Sequence, residues 1–231
     1  MEPDAALRSL FHGELAAVDA RLSELIHLVC GEVADATEAL LRAGTDASVA
    51  IVSRGHWSDP LYEQVAHQVA VLMARQAPVA SDLRYLLAVL RAVPELEQSA
   101  ALASEIARRG GLGIAGALTP RARALVTRSG DIVTAMWQQL RRAWDGRDPS
   151  AQSLEMAREE LRDLHTSLTA EVASSGIPAS VTMDMALVGR FYERLGDHAV
   201  NIAERLDGLN AWTAGGAPDG GDSGGGGGGG G

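Results

Sequence analysis

The sequence predicts an all-α protein built from two tandem, pseudo-symmetric three-helix bundles, with six helices in total. Three observations predict this fold. Apolar residues recur at steps of three and four over long stretches, which is the spacing of one face of an α-helix. Strict alternation of apolar and polar residues is rare and only 4% of the residues are aromatic, so little favours a β-sheet. The second half of the chain also repeats the helical plan of the first.

The first bundle is predicted to occupy residues 1–110. Its three main helices are expected over about residues 5–43, 61–75 and 81–109, and residues 45–54 could form an additional short helix. Gly44 would end the first helix, and Gly55–Pro60 indicates a turn, after which Asp59 would cap a new helix. In the last helix Leu83, Leu87 and Leu90 are expected on the core side. Pro94 lies inside this pattern, so a kink or a break is expected there, because proline lacks the N–H that a helix needs.

The second bundle is predicted over residues 121–211, after a glycine-rich linker at residues 111–120. Its helices are expected over about residues 125–143, 154–172 and 181–209. The last helix has an uninterrupted apolar stripe, which consists of Val181, Met185, Val188, Tyr192, Leu195, Ala199, Ile202 and Leu206. Residues 212–231 are of low complexity and rich in glycine, so we expect a disordered tail.

The two halves align when the first is shifted by 96 residues. Glu97 then falls on Glu193, and Arg109 falls on Arg205. We interpret this match as the duplication of a three-helix unit. The connections are short, so each unit is expected to be an antiparallel bundle.

The composition excludes several classes of protein. The net charge is −10, which makes binding to the phosphate backbone of nucleic acids unfavourable. Cys30 is the only cysteine and lies among apolar residues, so we expect a small core residue in a reducing, cytoplasmic environment. The first residues lack the pattern of a signal peptide, and no apolar run is long enough for a membrane span.

Val188–Leu206 carries the densest chemistry in the chain. Glu193 and Asp197 are four residues apart, so on a helix their carboxylates lie on the same face. Gly189 and Gly196 are one heptad apart, and each costs a helix roughly 1 kcal/mol relative to alanine. The simplest reason for them is a neighbouring backbone that passes close by.

Both carboxylates lie off the apolar stripe, so we expect them to point away from the core of their bundle. An outward position argues against a buried acid–base pair, because such a pair needs a pKa raised by burial or by a like charge. It permits a surface metal site, since hard cations take carboxylate oxygens and water. The simpler alternative is a solvated face on which Arg190 or Arg194 pairs locally with the acids.

The segment GRFYERLGDHAVNIAERL closely resembles the signature of the PhoU family, regulators of phosphate signalling and uptake. Glu193 and Asp197 fill that family's Glu/Asp-x-x-x-Asp motif. The earlier stretch ARQAPVASDLRYLLAVLRAVPELEQ resembles the signature of the first repeat. The resemblance covers about residues 5–210 with both repeats in order, and it implies two three-helix bundles related by a pseudo-twofold axis.

The resemblance also implies a metal site, because members of this family hold multinuclear metal clusters through these motifs. Glu193 and Asp197 are the expected ligands of divalent or iron cations. In the first repeat Glu97 is present, but Ala101 stands in place of the aspartate, which puts a cluster there in doubt. Further candidate ligands on the basis of the resemblance are Asp131, Glu160, Asp163 and His198. His198 equally fits a hydrogen-bonded surface histidine.

The resemblance implies a regulator without enzymatic activity. Its expected partners are the ATPase subunit of the phosphate transporter, the membrane-bound phosphate sensor histidine kinase and a second copy of the chain as a homodimer. A metal-binding helical protein that stores or oxidises iron is the first alternative, although no helix offers Glu-x-x-His in matching pairs. A histidine phosphotransfer protein with His198 as the acceptor is the second.

Overall fold

The computed structural model describes residues 3–42, 45–75, 80–146 and 151–214. The helices are α1 (Pro3–Arg42), α2 (Thr45–Arg75), α3 (Ala80–Gly111), α4 (Pro120–Trp144), α5 (Ala151–Ser174) and α6 (Ala179–Ala214). A short 3-10 helix at Ile114–Ala117 lies in the predicted linker. This part of the chain contains six α-helices and no β-strand, which confirms the predicted fold class.

Local sequence signals account for the start and the end of α4. The side chain of Thr119 accepts a hydrogen bond from the backbone N–H of Ala122 at 3.0 Å, and Pro120 occupies the first helical turn. The helix ends before Gly146, whose φ of +79° is in the left-handed region that glycine adopts without strain.

The turn predicted at Gly55–Pro60 is wrong, because α2 continues through it as one helix with Pro60 inside. Ile51 before the proline and Tyr62 and Val65 after it are all buried in the core. Packing on both sides of the proline therefore offsets the hydrogen bond that it removes, since tertiary contacts supply most of the stability of a helix.

A break at Pro94 is also not observed, because α3 runs without interruption from Ala80 to Gly111. Pro94 itself is exposed. Leu87 is exposed as well, against expectation, whereas Leu86 and Val89 take the core positions. The face that α3 buries is set by its contacts with α1, α2 and α6 together, which the spacing of leucines in one helix does not reveal.

Several predicted boundaries differ from the structure or lie outside the described residues. The last helix extends to Ala214, past its predicted end near residue 209. The predicted helix end at Gly44, most of the break at residues 76–80 and most of the turn at residues 145–149 are outside the described residues, and so is the tail from residue 215.

The two three-helix units share one continuous hydrophobic core. Within the units, α1 packs on α2 and α3, and α4 packs on α5 and α6, while α1 also contacts α4 and α3 contacts α6. The predicted stripe of α6 is buried over its whole length except for the partly exposed Leu206. In its middle the indole N–H of Trp137 donates to the backbone carbonyl of Leu195 at 3.2 Å.

The packing of α3 against α6 shows the pseudo-twofold symmetry that the family resemblance implies. The guanidinium of Arg109 lies 5.0 Å from the ring centre of Phe191, and Arg205 forms an ion pair with Glu95 at 2.7 Å. The two pairs occupy equivalent positions, because a shift of 96 residues places Arg109 on Arg205 and Glu95 on Phe191. The two helices therefore run antiparallel, and the axis passes between them.

None of the helices in the described ranges is long and apolar enough to cross a membrane.

Candidate functional site

The two glycines of α6 make room for side chains of α5. A Cβ atom at Gly189 would lie 2.6 Å from Cδ2 of His165, and one at Gly196 would lie 2.6 Å from Cδ1 of Leu161. The predicted close neighbour is therefore present. It is a side chain of the adjacent helix at both positions, whereas the sequence suggested a backbone.

Glu193 is buried, which corrects the prediction that it points outward. Only 9% of the residue is exposed. Nη1 of Arg190 donates to its Oε2 atom at 2.6 Å, and Nδ1 of His165 lies 3.1 Å from the same oxygen. The missing side chain at Gly189 leaves the space in which His165 covers the carboxylate. A group from α5 thus buries a residue that lies off the apolar stripe of its own helix.

Asp197 is partly exposed and lies one turn further along α6. Its Oδ1 atom is 3.8 Å from Nη2 of Arg162 on α5. The pKa of the Arg190 guanidinium is raised above its ordinary value by the hydrogen bond to Glu193 and by the charges of Glu193 and Asp197. Each motif carboxylate therefore faces the guanidinium of an arginine.

The other predicted metal ligands do not form a cluster with Glu193 and Asp197. Glu160 is exposed and pairs with Arg128 at 2.7 Å. Asp163 and Glu97 are exposed. Asp131 lines a cavity of about 400 Å³ between α1 and α4. Within the part of the chain that the structure describes, no three His, Cys, Asp or Glu side chains come together in a group that could hold a metal ion.

This arrangement does not fit a divalent or iron cation at Glu193 and Asp197. Such cations need several oxygen or imidazole ligands in a converging geometry. The two carboxylates face the guanidinium groups of Arg190 and Arg162, which repel a cation, and Glu193 also faces the imidazole of His165. Metal binding at these residues stays a prediction, and the geometry favours compensation by the protein's own basic groups.

His198 lies in a second polar site, between α3 and α6, that the sequence did not predict. Its Nδ1 atom is 2.8 Å from Oγ of Ser99, and that hydroxyl donates its proton to the backbone carbonyl of Glu95 at 2.6 Å. The imidazole must therefore donate from Nδ1 to Ser99. His198 is buried, which corrects the expectation of a surface residue, and burial lowers the pKa of its ring.

Ion pairs lie on both sides of the pseudo-twofold axis, and those on one side, at Glu95, are beside His198. Arg205 and Asn201 of α6 both contact Oε1 of Glu95, at 2.7 Å and 3.4 Å. On the symmetry-related side Arg109 contacts Asp184 at 3.2 Å and Glu105 at 2.8 Å. The only signal in the sequence was the alignment of Arg109 with Arg205, which marked equivalent positions without revealing their partners.

The fold and the α6 motif point to one family. The sequence profile of the PhoU domain matches residues 22–110 in α1–α3 and again residues 126–206 in α4–α6. The chain belongs to the PhoU family.

Relatives within this family carry names that refer to phosphate transport. The "Phosphate-specific transport system accessory protein PhoU homolog 2" of Mycobacterium tuberculosis is 29% identical over 208 residues, which are 87% of this chain and 96% of that protein. The corresponding "homolog 1" of Mycobacterium leprae is 30% identical over 206 residues, which are 87% of this chain and 92% of that protein.

A solved PhoU structure has the same fold. The crystal structure of PhoU from Pseudomonas aeruginosa superimposes with a TM-score of 0.81 at 26% identity, and it covers 87% of this chain and 99% of that chain. The PhoU family consists of accessory and regulatory proteins that are not enzymes, so membership confirms the prediction that this chain is not an enzyme.

Proposed function

We propose that this protein is an accessory protein of a phosphate-specific transport system, which restrains phosphate uptake and phosphate two-component signalling when phosphate is plentiful. The observation that carries the proposal is the match of the PhoU domain to both three-helix units. Relatives that align over nearly their whole length are named as accessory proteins of this transport system.

The proposed partners are the ATPase subunit of the transporter and the membrane-bound sensor histidine kinase. A protein without an active site can control both by binding one conformation of each partner more tightly than the other. Such binding shifts the transporter towards its resting state and the kinase towards its inactive or phosphatase state. We place the protein in the cytoplasm, where both partners expose their soluble parts, and we expect a homodimer.

Deletion of the gene tests the regulatory role. In high phosphate the deletion strain should express its phosphate-uptake genes, which the parent strain represses, and the wild-type gene should restore repression. Repression that persists in the deletion strain would overturn the proposal, provided that any second gene of the family has also been deleted.

Iron storage or oxidation, the first alternative, receives no support from the described residues. That class places carboxylates and histidines from facing helices around two metal ions. Here Glu193 and His165 form one such pair across α5 and α6, but Arg190 shares the carboxylate. A histidine phosphotransfer role for His198 also lacks support, because a phosphoryl acceptor must be accessible and only 7% of this residue is exposed.

A further inference from the structure

The outer surfaces of α3 and α6 carry one line of exposed residues each. Successive members of each line are three or four residues apart and therefore lie on one face of their helix. The line on α3 consists of Arg84, Leu87, Arg91, Pro94 and Gln98, and the line on α6 consists of Met183, Leu187, Arg190 and Arg194; all nine are exposed. We call these nine residues the outer strip.

The two lines form one continuous surface. They meet where Nη2 of Arg194 donates to Oε1 of Gln98 at 3.2 Å. These two positions are 96 residues apart, so they are equivalent in the two repeats and lie at the pseudo-twofold axis. Because α3 and α6 run antiparallel, the lines extend from this contact in opposite directions. The line on α3 spans about 21 Å and the line on α6 about 17 Å at 1.5 Å per residue.

The charge of the outer strip is opposite to that of the whole protein. The chain has 30 acidic residues and 20 arginines, whereas the strip has four arginines and no carboxylate. Two nearby carboxylates that are partly or fully buried, Glu95 and Glu193, already pair with Arg205 and Arg190. Glu97, next to Gln98, is an exposed carboxylate beside the strip.

Large apolar side chains lie between these arginines. Met183 is 68% exposed, Leu187 44% and Leu87 36%. Leu87 and Met183 occupy equivalent positions in the two repeats, so each arm of the strip presents an apolar side chain at the same distance from the axis. Arginines beside exposed apolar groups are typical of surfaces that bind other proteins.

We propose that the outer strip is the docking surface for an acidic patch on a partner protein. Carboxylates are the groups that arginine binds best, through paired hydrogen bonds, and opposite charges guide the encounter of the two surfaces. A second copy of this chain is disfavoured as the occupant through its own strip, because the arginines would face each other. Nucleic acid and anionic membranes are disfavoured because their extended negative charge would also meet the acidic remainder of the protein.

This inference deepens the proposed function and rests on it for the identity of the partner, which is the transporter ATPase or the sensor kinase. A charge reversal tests it in the full-length protein. The strip variant is Arg91→Glu/Arg194→Glu, which spares Arg190 and its contact with Glu193. The control variant is Arg42→Glu/Arg121→Glu, which makes the same change of charge at side chains that are 77% and 75% exposed outside the strip.

Binding of each variant to the purified ATPase and to the purified cytoplasmic part of the kinase is measured at low and high salt. The strip variant should bind one of them about tenfold more weakly, and the control variant should stay within about twofold of wild type. Wild-type binding should weaken as salt rises. Equal loss in both variants, or wild-type affinity in the strip variant, would overturn the proposal.

Photo-cross-linking in cells tests the same surface without a charge change. Benzoylphenylalanine is placed at Met183 in the strip and, as a matched control, at Met156 of α5, whose exposure is 69%. Cross-links from position 183 should reach an Asp- and Glu-rich segment of the ATPase or kinase and should disappear in the strip variant. Equal cross-linking from position 156 would contradict the proposal.

Three further outcomes separate failure of the strip proposal from failure of the proposed function. If wild type binds phosphatidylglycerol vesicles and the strip variant does not, the strip binds membranes and the proposal of a protein partner is wrong. If gene deletion leaves repression intact, the proposed function fails, yet a cross-link from position 183 to an acidic protein segment would still support the strip. If deletion abolishes repression but the strip variant represses fully, the strip proposal alone fails.

Discussion

The environment of Glu193 in the structure differs from the one that the sequence predicted. Its spacing from the apolar stripe of α6 placed it on the outside, where a metal could bind. In the structure His165 covers it and Arg190 neutralises it. His165 connects this carboxylate to α5, and the positive charge of Arg190 beside it would repel a metal cation.

Metal removal is the first test at this scale. We expect dialysis against EDTA to leave the melting temperature unchanged and added Mn²⁺ or Fe²⁺ not to raise it, because basic side chains already neutralise Glu193 and Asp197. Elemental analysis of the purified protein should find far less than one metal ion per chain. A rise in melting temperature with Mn²⁺ that Glu193→Gln/Asp197→Asn abolishes would instead support the metal site that the sequence predicted.

The buried imidazole of His198 gives a second prediction at this scale. Its pKa in the folded protein is below the value of about 6.5 expected in the unfolded chain, because burial disfavours the charged ring. The unfolded state therefore binds the proton more readily. The stability that the protein gains from keeping this ring neutral is fully present above about pH 6.5. It is lost as the pH falls from there towards the lower folded pKa.

Urea denaturation between pH 7.5 and 5.5 measures this effect. The free energy of unfolding should fall more in wild type than in His198→Gln, whose amide can still donate to Ser99 but does not titrate. An equal fall in the free energy of unfolding in the two proteins would mean that protonation of His198 does not destabilise the folded state.

At the scale of the helices, glycine positions determine how closely neighbours approach. A Cβ atom at Gly110 of α3 would lie 2.6 Å from the carbonyl carbon of Ala39 in α1, so backbone meets backbone there. Gly196 differs, since its close neighbour is the tip of the flexible Leu161 side chain. Gly31 in α1 is exposed and has nothing within 4 Å of the position of a Cβ atom.

Alanine substitutions should separate these three cases. Gly110→Ala should destabilise the protein by about 1–3 kcal/mol, because neither backbone can move easily. Gly196→Ala should cost less, and Gly31→Ala should stabilise by up to about 1 kcal/mol through its higher helix propensity. Midpoints of urea denaturation rank the variants, and a neutral Gly110→Ala would show that α1 and α3 are farther apart than described.

At the scale of the whole molecule, the duplicated units are joined by shared packing. Thr37 of α1 lies against Gly130 of α4, where a Cβ atom would be 2.5 Å from its Oγ1, and the same hydroxyl is hydrogen-bonded to Tyr192 of α6 at 2.9 Å. Such contacts between the repeats continue the core across the axis. The protein should therefore behave as one cooperative unit although its sequence is a tandem repeat.

Hydrogen exchange and calorimetry test this cooperativity. Core amides of α3 and α6 should exchange with the same free energy of opening, because neither unit can lose its core without exposing the other. Calorimetry should record a single transition. Two separate transitions, or α3 amides that exchange far faster than those of α6, would contradict a shared core.

Much of the fold could be predicted because helical periodicity is local. The stripe from Val181 to Leu206 was correct nearly throughout, since burial of one face of a helix follows from the spacing of its own residues. Leu87 was assigned to the core in error because α3 contacts three other helices, and which of its faces becomes exposed depends on all of them.

The sequence by itself determined the helices, their duplication and, through the Glu193–Asp197 signature, the family. These properties depend on residue types at short separations, which the sequence states directly. The tertiary structure alone decided that α2 continues through Pro60, that Glu193 is buried and that the arginines of α3 and α6 form one strip. Each of these depends on atoms of another helix, and their free energies come from contacts between residues that are far apart in the chain.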